Sequence, residues 1–488
     1  MNVGKKSPSA LISLIPIAFL VGMLYATIQT FGSDALMGGS QISLLATTAL
    51  CVFIGTTFYR IPWREFEAAV TKSIAGVAMA MVILLIIGAL SGVWMVSGVV
   101  PALIYYGMQI LHPDFFLASG CAICALVSVM TGSSWTTIAT IGIALMGIGQ
   151  AQGFNEGWVA GAIISGAYFG DKISPLSDTT VLASSVTGTP LFTHIKYMLV
   201  TTVPTLIITL TIFVIMGLTH EAAPGEQMMQ ISQALQDKFN LTPWLFMVPV
   251  VTGYLIVRKV PSLITLFAST LLACICALIF QPQLLLEIAG EDNLFKGMMS
   301  TLFDATSLTT ENQMLTELLA TRGMGGMLDT VWLILCAMCF GGAMTAGGML
   351  NSLTAVFLRM VRNRTTLVTS TAGSGLFLNF TTADQYISII LTAKMFGEAY
   401  RDEGYESRLL SRTTEDAVTV TSVLIPWNTC GMTQATVLNV PTLTYLPYCF
   451  FNIISPLMSI LVAATGYKIF KACEPRKEMK VPIPEPAE

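Results

Sequence analysis

The sequence predicts an all-α polytopic membrane protein with about ten full transmembrane helices plus two re-entrant hairpins, and three observations support this class. Of the 488 residues, 54% are hydrophobic and only 11% are charged, against roughly 25% charged in an ordinary soluble domain. Apolar runs of about 20 residues, the length of a helix that crosses a bilayer, recur along the chain. The net charge of −4 gives no indication of nucleic-acid binding. We therefore expect one integral membrane domain over residues 1–488 and no enzyme.

Ten apolar runs lie between polar or charged breaks and are predicted to be full spans. The first run follows Lys5 and Lys6 and is too long for a signal-peptide core, so we expect it to be retained. The Pro- and charge-rich tail, 475–488, is predicted to be a disordered cytoplasmic segment. The predicted spans are 9–30, 41–59, 74–98, 156–187, 196–217, 241–257, 261–280, 327–350, 412–440 and 446–468.

Two further regions, 114–150 and 365–398, are each split by a polar cluster into a pair of apolar arms. The arm Thr136–Gln150 has 15 residues, or about 22 Å of helix, which is short of a hydrocarbon core of about 30 Å. These regions are predicted to be re-entrant hairpins that enter and leave on one side. Two tilted full crossings are the alternative.

The distribution of positive charge predicts the orientation of the spans. If the N-terminus is cytoplasmic, 20 of the 24 Lys and Arg residues fall in the inside segments. The longer outside loops, 218–240 and 281–326, are instead rich in Asp and Glu. Because cytoplasmic loops carry an excess of Lys and Arg, we expect both termini to be cytoplasmic.

The chain contains a predicted internal repeat, with copy one at about 74–217 and copy two at about 327–468. In each copy a Gly-rich span end is followed by a hairpin and by a span broken at a proline, Pro175 or Pro426, and these prolines are 251 residues apart. The span count starts the first copy inside and the second outside, which predicts inverted repeats with two broken helices. Such pairs of interrupted segments are typical of a transporter whose binding site lies near the membrane midplane. Chance similarity between Gly-rich apolar segments is the alternative.

A polar run, Gly170-Asp-Lys-Ile-Ser-Pro-Leu-Ser-Asp-Thr-Thr180, interrupts one of the predicted spans. Pro175 lacks a backbone donor and clashes with the preceding turn, so the helix must open there and expose carbonyl oxygens. Carbonyl, hydroxyl and carboxylate oxygens are the hard ligands that small alkali cations prefer. The candidate ion- and proton-binding residues in this run are Asp171, Asp178, Ser174, Ser177 and Thr179.

The second copy places its acid on a different element. Its break, Leu424-Ile-Pro-Trp-Asn-Thr-Cys-Gly431, has no carboxylate, whereas the tip of its hairpin has Asp384 beside Thr381 and Thr382. The tip of the first hairpin has Ser133, Ser134 and Trp135 in place of that acid. We predict sodium at Asp171, Asp178 and Asp384, because ionisable groups inside a membrane are costly and usually functional. The alternatives are that Asp171 and Lys172 only neutralise each other and that Asp384 only caps a helix.

Two further groups of residues are predicted around the breaks. Glu415 and Asp416 precede the second break by about ten residues, or about 15 Å of helix, which places them at the cytoplasmic mouth. They are expected to form a solvated helix start, with a gate or a route for protons as the alternative. The candidate substrate-pocket residues are Lys172, Trp135, Trp427, Asn428 and Thr429.

The run Gly170–Thr180 resembles the signature of the NhaC-type sodium/proton antiporter family, which is similar in plan to the wider ion-transporter superfamily. The resemblance extends to Thr131–Trp135, Asn379–Gln385, the stretch Thr413-Thr-Glu-Asp-Ala417 and Pro426-Trp-Asn-Thr-Cys-Gly431. It implies secondary active transport of sodium and protons, and a homodimer built from scaffold and transport domains. Some relatives in this family instead exchange carboxylates such as malate and lactate, or carry amino acids.

The sequence therefore predicts a secondary active transporter that exchanges sodium for protons across the cytoplasmic membrane by alternating access, with no cofactor. Asp171, Asp178 and Asp384 are predicted to bind either a sodium ion or a proton, never both, and replacing Asp178 with Asn is expected to remove proton exchange. The alternative is a sodium- or proton-coupled transporter of a small carboxylate or an amino acid. The hairpin tips and helix breaks contain no arginine, which favours a cation over a dicarboxylate.

Overall fold

The computed structural model describes residues 8–31, 38–220, 225–258, 260–306, 308, 316 and 319–471. Regular structure in these ranges is helical, apart from two isolated bridges that pair Thr306 with Thr321 and Tyr405 with Lys471. The predicted all-α polytopic class is confirmed. The predicted N-terminal basic pair and the tail 475–488 lie outside the described residues.

Within the described ranges, seven helices are long and apolar enough to cross a membrane, and the number rises to nine if each of two bent pairs is one span. Eight of the ten predicted spans correspond to six of the seven helices and to the two bent pairs. The seventh helix, Pro113–Thr131, includes a hairpin arm, and the other two predicted spans are the broken helices described below. The seven are Ala10–Phe31, Gly39–Tyr59, Trp63–Val96, Pro113–Thr131, Leu191–Thr219, Ser262–Phe280 and Gly325–Ala346; the bent pairs are Met229–Lys238 with Pro243–Val257 and Thr442–Tyr448 with Phe450–Thr465.

One predicted boundary that is clearly wrong is the start of the third helix. Its predicted start was residue 74, but the helix is Trp63–Val96 and follows Pro62, whose backbone is extended. The first turns contain Arg64, Glu65 and Lys72, which interrupt the apolar run but are good helix formers. Hydropathy therefore marks the part of a helix inside the lipid and not the point where the helix begins.

The helices pack into two groups. One bundle contains Ala10–Phe31, Gly39–Tyr59, Trp63–Val96, Ser262–Phe280, Leu294–Phe303 and Leu328–Ala346. A central bundle contains the hairpins and broken helices together with Leu191–Thr219 and Phe450–Thr465. The shorter helices outside these groups are Val99–Ile110, Gly225–Lys238, Met247–Val257, Pro282–Ala289 and Met349–Arg359.

Both predicted hairpins and both predicted broken helices are present. The first hairpin has the arms Phe116–Thr131 and Ser134–Ala151, the latter with a π-helical turn at Ile138–Gly142, and the first broken helix is Glu156–Ile173 with Asp178–Thr187. The second hairpin has the arms Arg364–Thr382 and Gln385–Asp402. The second broken helix is Ser407–Thr414, with a π-helical turn at Glu415–Thr419, followed after the break by Thr429–Leu438.

Corresponding elements of the two halves lie 251 residues apart in the chain. The second hairpin arms begin at Ser134 and Gln385, and the helices after the breaks begin at Asp178 and Thr429. The residues before the hairpin caps, Gly132 and Ala383, both have a left-handed backbone, with φ of 66° and 56°. These positions differ by the same 251 residues as the two prolines. The opposite orientation of the two halves in the membrane remains a prediction.

Small residues let the first hairpin and the first broken helix approach each other closely. A Cβ atom at Gly166 would lie 2.1 Å from the carbonyl oxygen of Cys121, and one at Gly170 would lie 2.3 Å from the carbonyl oxygen of Ala125. Both contacts are with backbone, which cannot move aside as a flexible side chain can. The tip of the hairpin is thereby held against the break, where the candidate site lies.

Replacing Gly166 with Ala is expected to destabilise the protein by about 1–3 kcal/mol, because the added methyl group forces the two helices apart. The melting temperature of the purified protein in detergent measures this effect. Gly76→Ala, in the helix Trp63–Val96, is the matched control, since a Cβ at Gly76 meets no atom within 4 Å. Equal melting temperatures for the two variants would contradict the packing described here.

Candidate ion-binding site

Each hairpin tip is fastened to the broken helix of its own half by equivalent hydrogen bonds. In the first half the Ser128 hydroxyl donates to the Ala167 carbonyl at 2.6 Å. In the second half the Asn379 amide donates to the Val418 carbonyl, also at 2.6 Å. Both pairs are separated by 39 residues. The same bond therefore joins tip and break in both copies, although the residue types differ.

Asp171 is a buried carboxylate of the first half that is held by hydrogen bonds. It is 7% exposed, at the end of the helix Glu156–Ile173. Its Oδ2 accepts hydrogen bonds from the Ser134 backbone N–H at 3.1 Å and from the Ser134 hydroxyl at 2.8 Å. The Ser177 hydroxyl interacts with the same carboxylate. Asp171 thus links the break to the tip of the first hairpin.

Asp178, in contrast, is exposed. It begins the helix after the break and faces a cavity of about 510 Å³ whose wall also includes Thr131, Thr136 and Leu176. The opposite wall of the cavity comes from Met79, Ile83 and residues 256 and 260–265. This carboxylate is therefore accessible from the cavity, whereas Asp171 is buried and does not line it.

Asp384 is the acid of the second half, and it is 2% exposed. Its Oδ1 accepts a hydrogen bond from the Ile387 backbone N–H at 2.8 Å, so it caps the helix Gln385–Asp402. Its Oδ2 makes no hydrogen bond, and the Thr429 hydroxyl faces the carboxylate. Asp384 therefore caps a helix through Oδ1, as the alternative interpretation predicts. Its Oδ2 remains available to a ligand.

Tyr386 lies within electrostatic range of all three acids. This side chain has electrostatic interactions with Asp178, Asp171 and Asp384, and it is 38% exposed. However, in the described part of the chain no three His, Cys, Asp or Glu side chains are grouped closely enough to hold one metal ion. The acids therefore do not form a single ligand set, and each ion site must be completed by hydroxyl and carbonyl oxygens.

The other predicted hydroxyl ligands are at the tips and breaks as expected, but they already make internal hydrogen bonds. The Ser174 hydroxyl donates to the Val129 carbonyl at 2.8 Å, and the Thr382 hydroxyl donates to the Asp384 carbonyl at 3.0 Å. The remaining ones are Ser133, which accepts from Thr136 N–H, Ser177 and Thr179, whose hydroxyls are 3.0 Å apart, and Thr381, which donates to the Phe377 carbonyl. The Thr381 hydroxyl, which only donates, and the Ser174 hydroxyl, which accepts one hydrogen bond, keep lone pairs that can bind a cation, whereas Ser133 Oγ already accepts from both the N–H and the hydroxyl of Thr136.

Lys172 does not neutralise Asp171, and that alternative is wrong. Its side chain is completely buried and forms an ion pair with Asp416 of the second broken helix. The ammonium group also donates to the Ser455 hydroxyl at 3.0 Å and lies 5.6 Å from the centroid of the Phe451 ring. Because these partners occupy the ammonium group, Lys172 is not free to bind a substrate carboxylate in this conformation.

The prediction that Glu415 and Asp416 form a solvated helix start is also wrong. Both side chains are 0% exposed. Asp416 accepts from Lys172 and, at 3.0 Å, from the Thr201 hydroxyl. Both carboxylate oxygens of Glu415 lack a hydrogen-bond partner. The charged stretch therefore lies inside the bundle, where Lys172 of the other half pairs with Asp416.

The residues predicted for an organic substrate pocket are largely occupied by structural contacts. The Trp427 indole N–H donates to the Phe380 carbonyl at 2.9 Å, and the Asn428 amide donates to the Asn379 carbonyl at 3.0 Å. The Thr429 backbone N–H donates to the Ala383 carbonyl at 2.9 Å. Trp135 is partly buried and packs against the hydrophobic core. These side chains shape the two tips and breaks.

Several residues of the site were not predicted from the sequence. Tyr386 lies 251 residues after Trp135, so the repeat offset was the signal that could have found it. Gln385 is equivalent to Ser134; its amide donates to the Thr419 carbonyl and its carbonyl accepts from Cys430. Thr201 and Ser455, the hydroxyl partners of the ion pair, lie in ordinary apolar spans, and nothing in the sequence singles them out.

Two hairpins whose tips meet two broken helices, inside a bundle of apolar spans, define a secondary membrane transporter. A model of the Na⁺/H⁺ antiporter family matches residues 4–181 and 166–467. The chain therefore belongs to the Na⁺/H⁺ antiporter family.

Similar proteins match over nearly their full length. The Na⁺/H⁺ antiporter NhaC of Alkalihalophilus pseudofirmus is 34% identical over 91% of this chain and 97% of its own. The NhaC antiporter of Bacillus subtilis is 32% identical over 86% of this chain and 90% of its own. The malate-2H⁺/Na⁺-lactate antiporter of Bacillus subtilis is also 32% identical, over 93% of this chain and 95% of its own.

Proposed function

We propose that this protein exchanges sodium ions for protons across the cytoplasmic membrane by alternating access. The observation that carries the proposal is the state of Asp171 and Asp384. Both carboxylates are buried, and no Lys, Arg or His in the described ranges forms an ion pair with either. The positive charge that neutralises each carboxylate must therefore come from outside the protein.

A buried carboxylate without a counter-ion is unstable as an anion, because burial removes its hydration. A proton or a small cation removes this cost equally well, but one charge can be neutralised only once. Sodium binding at such a carboxylate therefore requires that the proton leave, which is the condition for exchange. We assign this role to Asp171 with Ser134 and Ser177, and to Asp384 with Thr429.

Asp178 supplies the approach to the first of these sites. It is exposed, in a cavity of about 510 Å³ that also contains the hydroxyl groups of Thr131 and Thr136. A carboxylate at the wall of an open cavity raises the local concentration of cations. We therefore assign Asp178 to ion capture and not to the exchange step.

The alternative is a coupled carrier of a small carboxylate or amino acid, as the names of some relatives describe for those proteins. An organic anion needs free hydrogen-bond donors or a free cation. Lys172 is engaged by Asp416 and Ser455, and the amide and indole donors of Asn428 and Trp427 bind backbone carbonyls. These contacts favour the inorganic cation. We further propose that both termini are cytoplasmic and that the protein acts as a homodimer.

Proton flux in proteoliposomes tests this proposal. Purified protein is reconstituted with an internal pH dye, and sodium is added first alone and then with malate, lactate or an amino acid. We expect a sodium-dependent proton flux with no organic solute present. If no proton flux is observed until the organic solute is added, the exchange assignment is overturned in favour of the coupled carrier.

A further inference from the structure

A second cavity, of about 670 Å³, lies between the central bundle and the bundle that contains Trp63–Val96, which we call the first bundle. Its walls include residues of that helix and of the hairpin arm Ser134–Ala151. Its rim includes the exposed residues Gly153 and Asn439, so water and small solutes can enter it. No carboxylate of the candidate ion sites lines this cavity. It is therefore an accessible space that is separate from those sites.

Much of the wall is apolar and adaptable. Met95, Met146 and Met327 line the cavity, and all three side chains are buried. Methionine is unbranched and polarizable, so a surface of methionines adapts to apolar ligands of different shapes. Ligand sites in proteins are typically cavities of about 300–1,000 Å³ with largely apolar walls and a few polar groups. The size and the lining of this cavity match such a site.

Two of the described residues that line the cavity are charged, Arg322 and Glu156. They form no ion pair with each other or with any residue in the described ranges. The stem of Arg322 lies against Gly326, where an added Cβ would be 2.2 Å from the Arg322 Cβ. Glu156 lies in the first turn of the helix Glu156–Ile173, where the helix dipole favours a carboxylate. The cavity therefore has one positive and one negative group that are held apart.

The two charges belong to different bundles. Met324, two residues after Arg322, donates from its backbone N–H to the Leu302 carbonyl at 3.0 Å, and Leu302 lies in a helix of the first bundle. Glu156 begins a helix of the central bundle, and the Asn155 side chain caps that helix. A molecule that binds both charges therefore joins the two bundles.

The charges and the walls together specify the chemistry of a ligand. A carboxylate can bind the Arg322 guanidinium through paired hydrogen bonds, and an ammonium group can bind the Glu156 carboxylate. An apolar chain between these two groups matches the methionine wall. An α-amino acid matches less well, because its two charges share one carbon atom whereas Arg322 and Glu156 are not in contact.

We propose that this cavity binds a small zwitterion with a carboxylate and an ammonium group at opposite ends of an apolar chain, and that the bound molecule holds the two bundles in their present arrangement. A ligand that prefers one arrangement of a protein shifts the population towards it. Because alternating access requires the bundles to move against each other, the ligand slows exchange. This second consequence rests on the proposed function, whereas binding does not.

Binding is tested with ε-aminocaproate, whose carboxylate and amine are at opposite ends of a short alkyl chain. Thermal unfolding of the purified protein in detergent is measured with this probe, with caproate and with hexylamine, which carry one charge each. We expect the zwitterion to raise the melting temperature by a few degrees, and by more than either single-charge probe does. Equal melting temperatures with and without ε-aminocaproate would overturn the proposal.

Charge reversal separates binding from folding. Arg322→Glu and Glu156→Arg are each expected to weaken binding of ε-aminocaproate by about tenfold or more, because a charged hydrogen bond is lost. The double variant again has one group of each sign, and we expect it to bind the probe in the reversed orientation. Arg401→Gln, at the exposed end of the helix Gln385–Asp402, is the matched control and is expected to bind as the wild type does. Unchanged binding in the single variants, or a folded double variant that does not recover it, would contradict the site.

Flux in proteoliposomes tests the second consequence. We expect ε-aminocaproate to slow sodium-dependent proton flux several-fold in wild-type protein and to have little effect on Arg322→Glu. Uptake of radioactive ε-aminocaproate into the vesicles would identify it as a substrate and overturn its role in holding the bundles. Wild-type protein that binds the probe but shows no sodium-dependent proton flux overturns the proposed function and leaves the binding site intact.

Discussion

Asp171→Asn is expected to abolish sodium-dependent proton flux while leaving the protein folded. An asparagine side chain is isosteric, and its oxygen can still accept the two hydrogen bonds from Ser134. It carries no charge and cannot exchange a proton for a cation at physiological pH. The measurement is proton flux in proteoliposomes after a sodium pulse, with the melting temperature in detergent as the check on folding.

Asp178→Asn is the matched comparison for this prediction. The sequence alone predicted that this change removes proton exchange, but the exposure of Asp178 in an open cavity points to capture. We therefore expect the variant to need more sodium for half-maximal flux and to keep its maximal rate. Full exchange by Asp171→Asn, or complete loss only in Asp178→Asn, would show that the two roles are reversed.

Removal of Asp416 is expected to cause the largest loss of stability in the central bundle. Asp416→Asn removes the carboxylate that Lys172 and Arg412 share and leaves only Glu415, which makes no hydrogen bond, to balance these two buried cations. Removing one partner of a buried ion pair typically costs about 3–5 kcal/mol. Lys172→Met is expected to cost less, because Arg412 remains to balance the carboxylate. Thermal unfolding in detergent measures the order of the two variants.

Thr201→Val is the control for these two variants, since it removes only one hydroxyl, which donates to Asp416 and to the Met198 carbonyl, both at 3.0 Å. We expect a loss of about 1 kcal/mol, the usual contribution of one hydrogen bond, or up to about 3 kcal/mol if the carboxylate is left short of a donor. If Lys172→Met is as destabilising as Asp416→Asn, the carboxylate serves the lysine alone and Arg412 does not share it.

The sequence predicted the elements of the central bundle well, because their signals are local. Prolines at 175 and 426 remove backbone donors, and polar clusters at 131–135 and 381–385 interrupt short apolar arms. These features disrupt a membrane helix whatever surrounds it. The hairpins and both breaks therefore appear in the structure close to their predicted positions.

The partners of the charged residues could not be predicted in the same way. Lys172 and Asp416 are 244 residues apart in the chain, and only the packing of the two broken helices brings them together. The spacing from the break places Glu415 and Asp416 at the cytoplasmic mouth, yet both are completely buried. A buried group of charges is stable only when its members pair, and pairing across the fold leaves no mark in a local pattern.

Proton release on sodium binding tests the central claim most directly. Purified protein in weakly buffered detergent solution receives increasing sodium chloride, with choline chloride as the control salt, while a dye records the pH. We expect sodium to release protons from wild-type protein near neutral pH, and Asp171→Asn to release fewer. Sodium binding without proton release, or equal release by the variant, would contradict an exchange of the two ions at the Asp171 carboxylate.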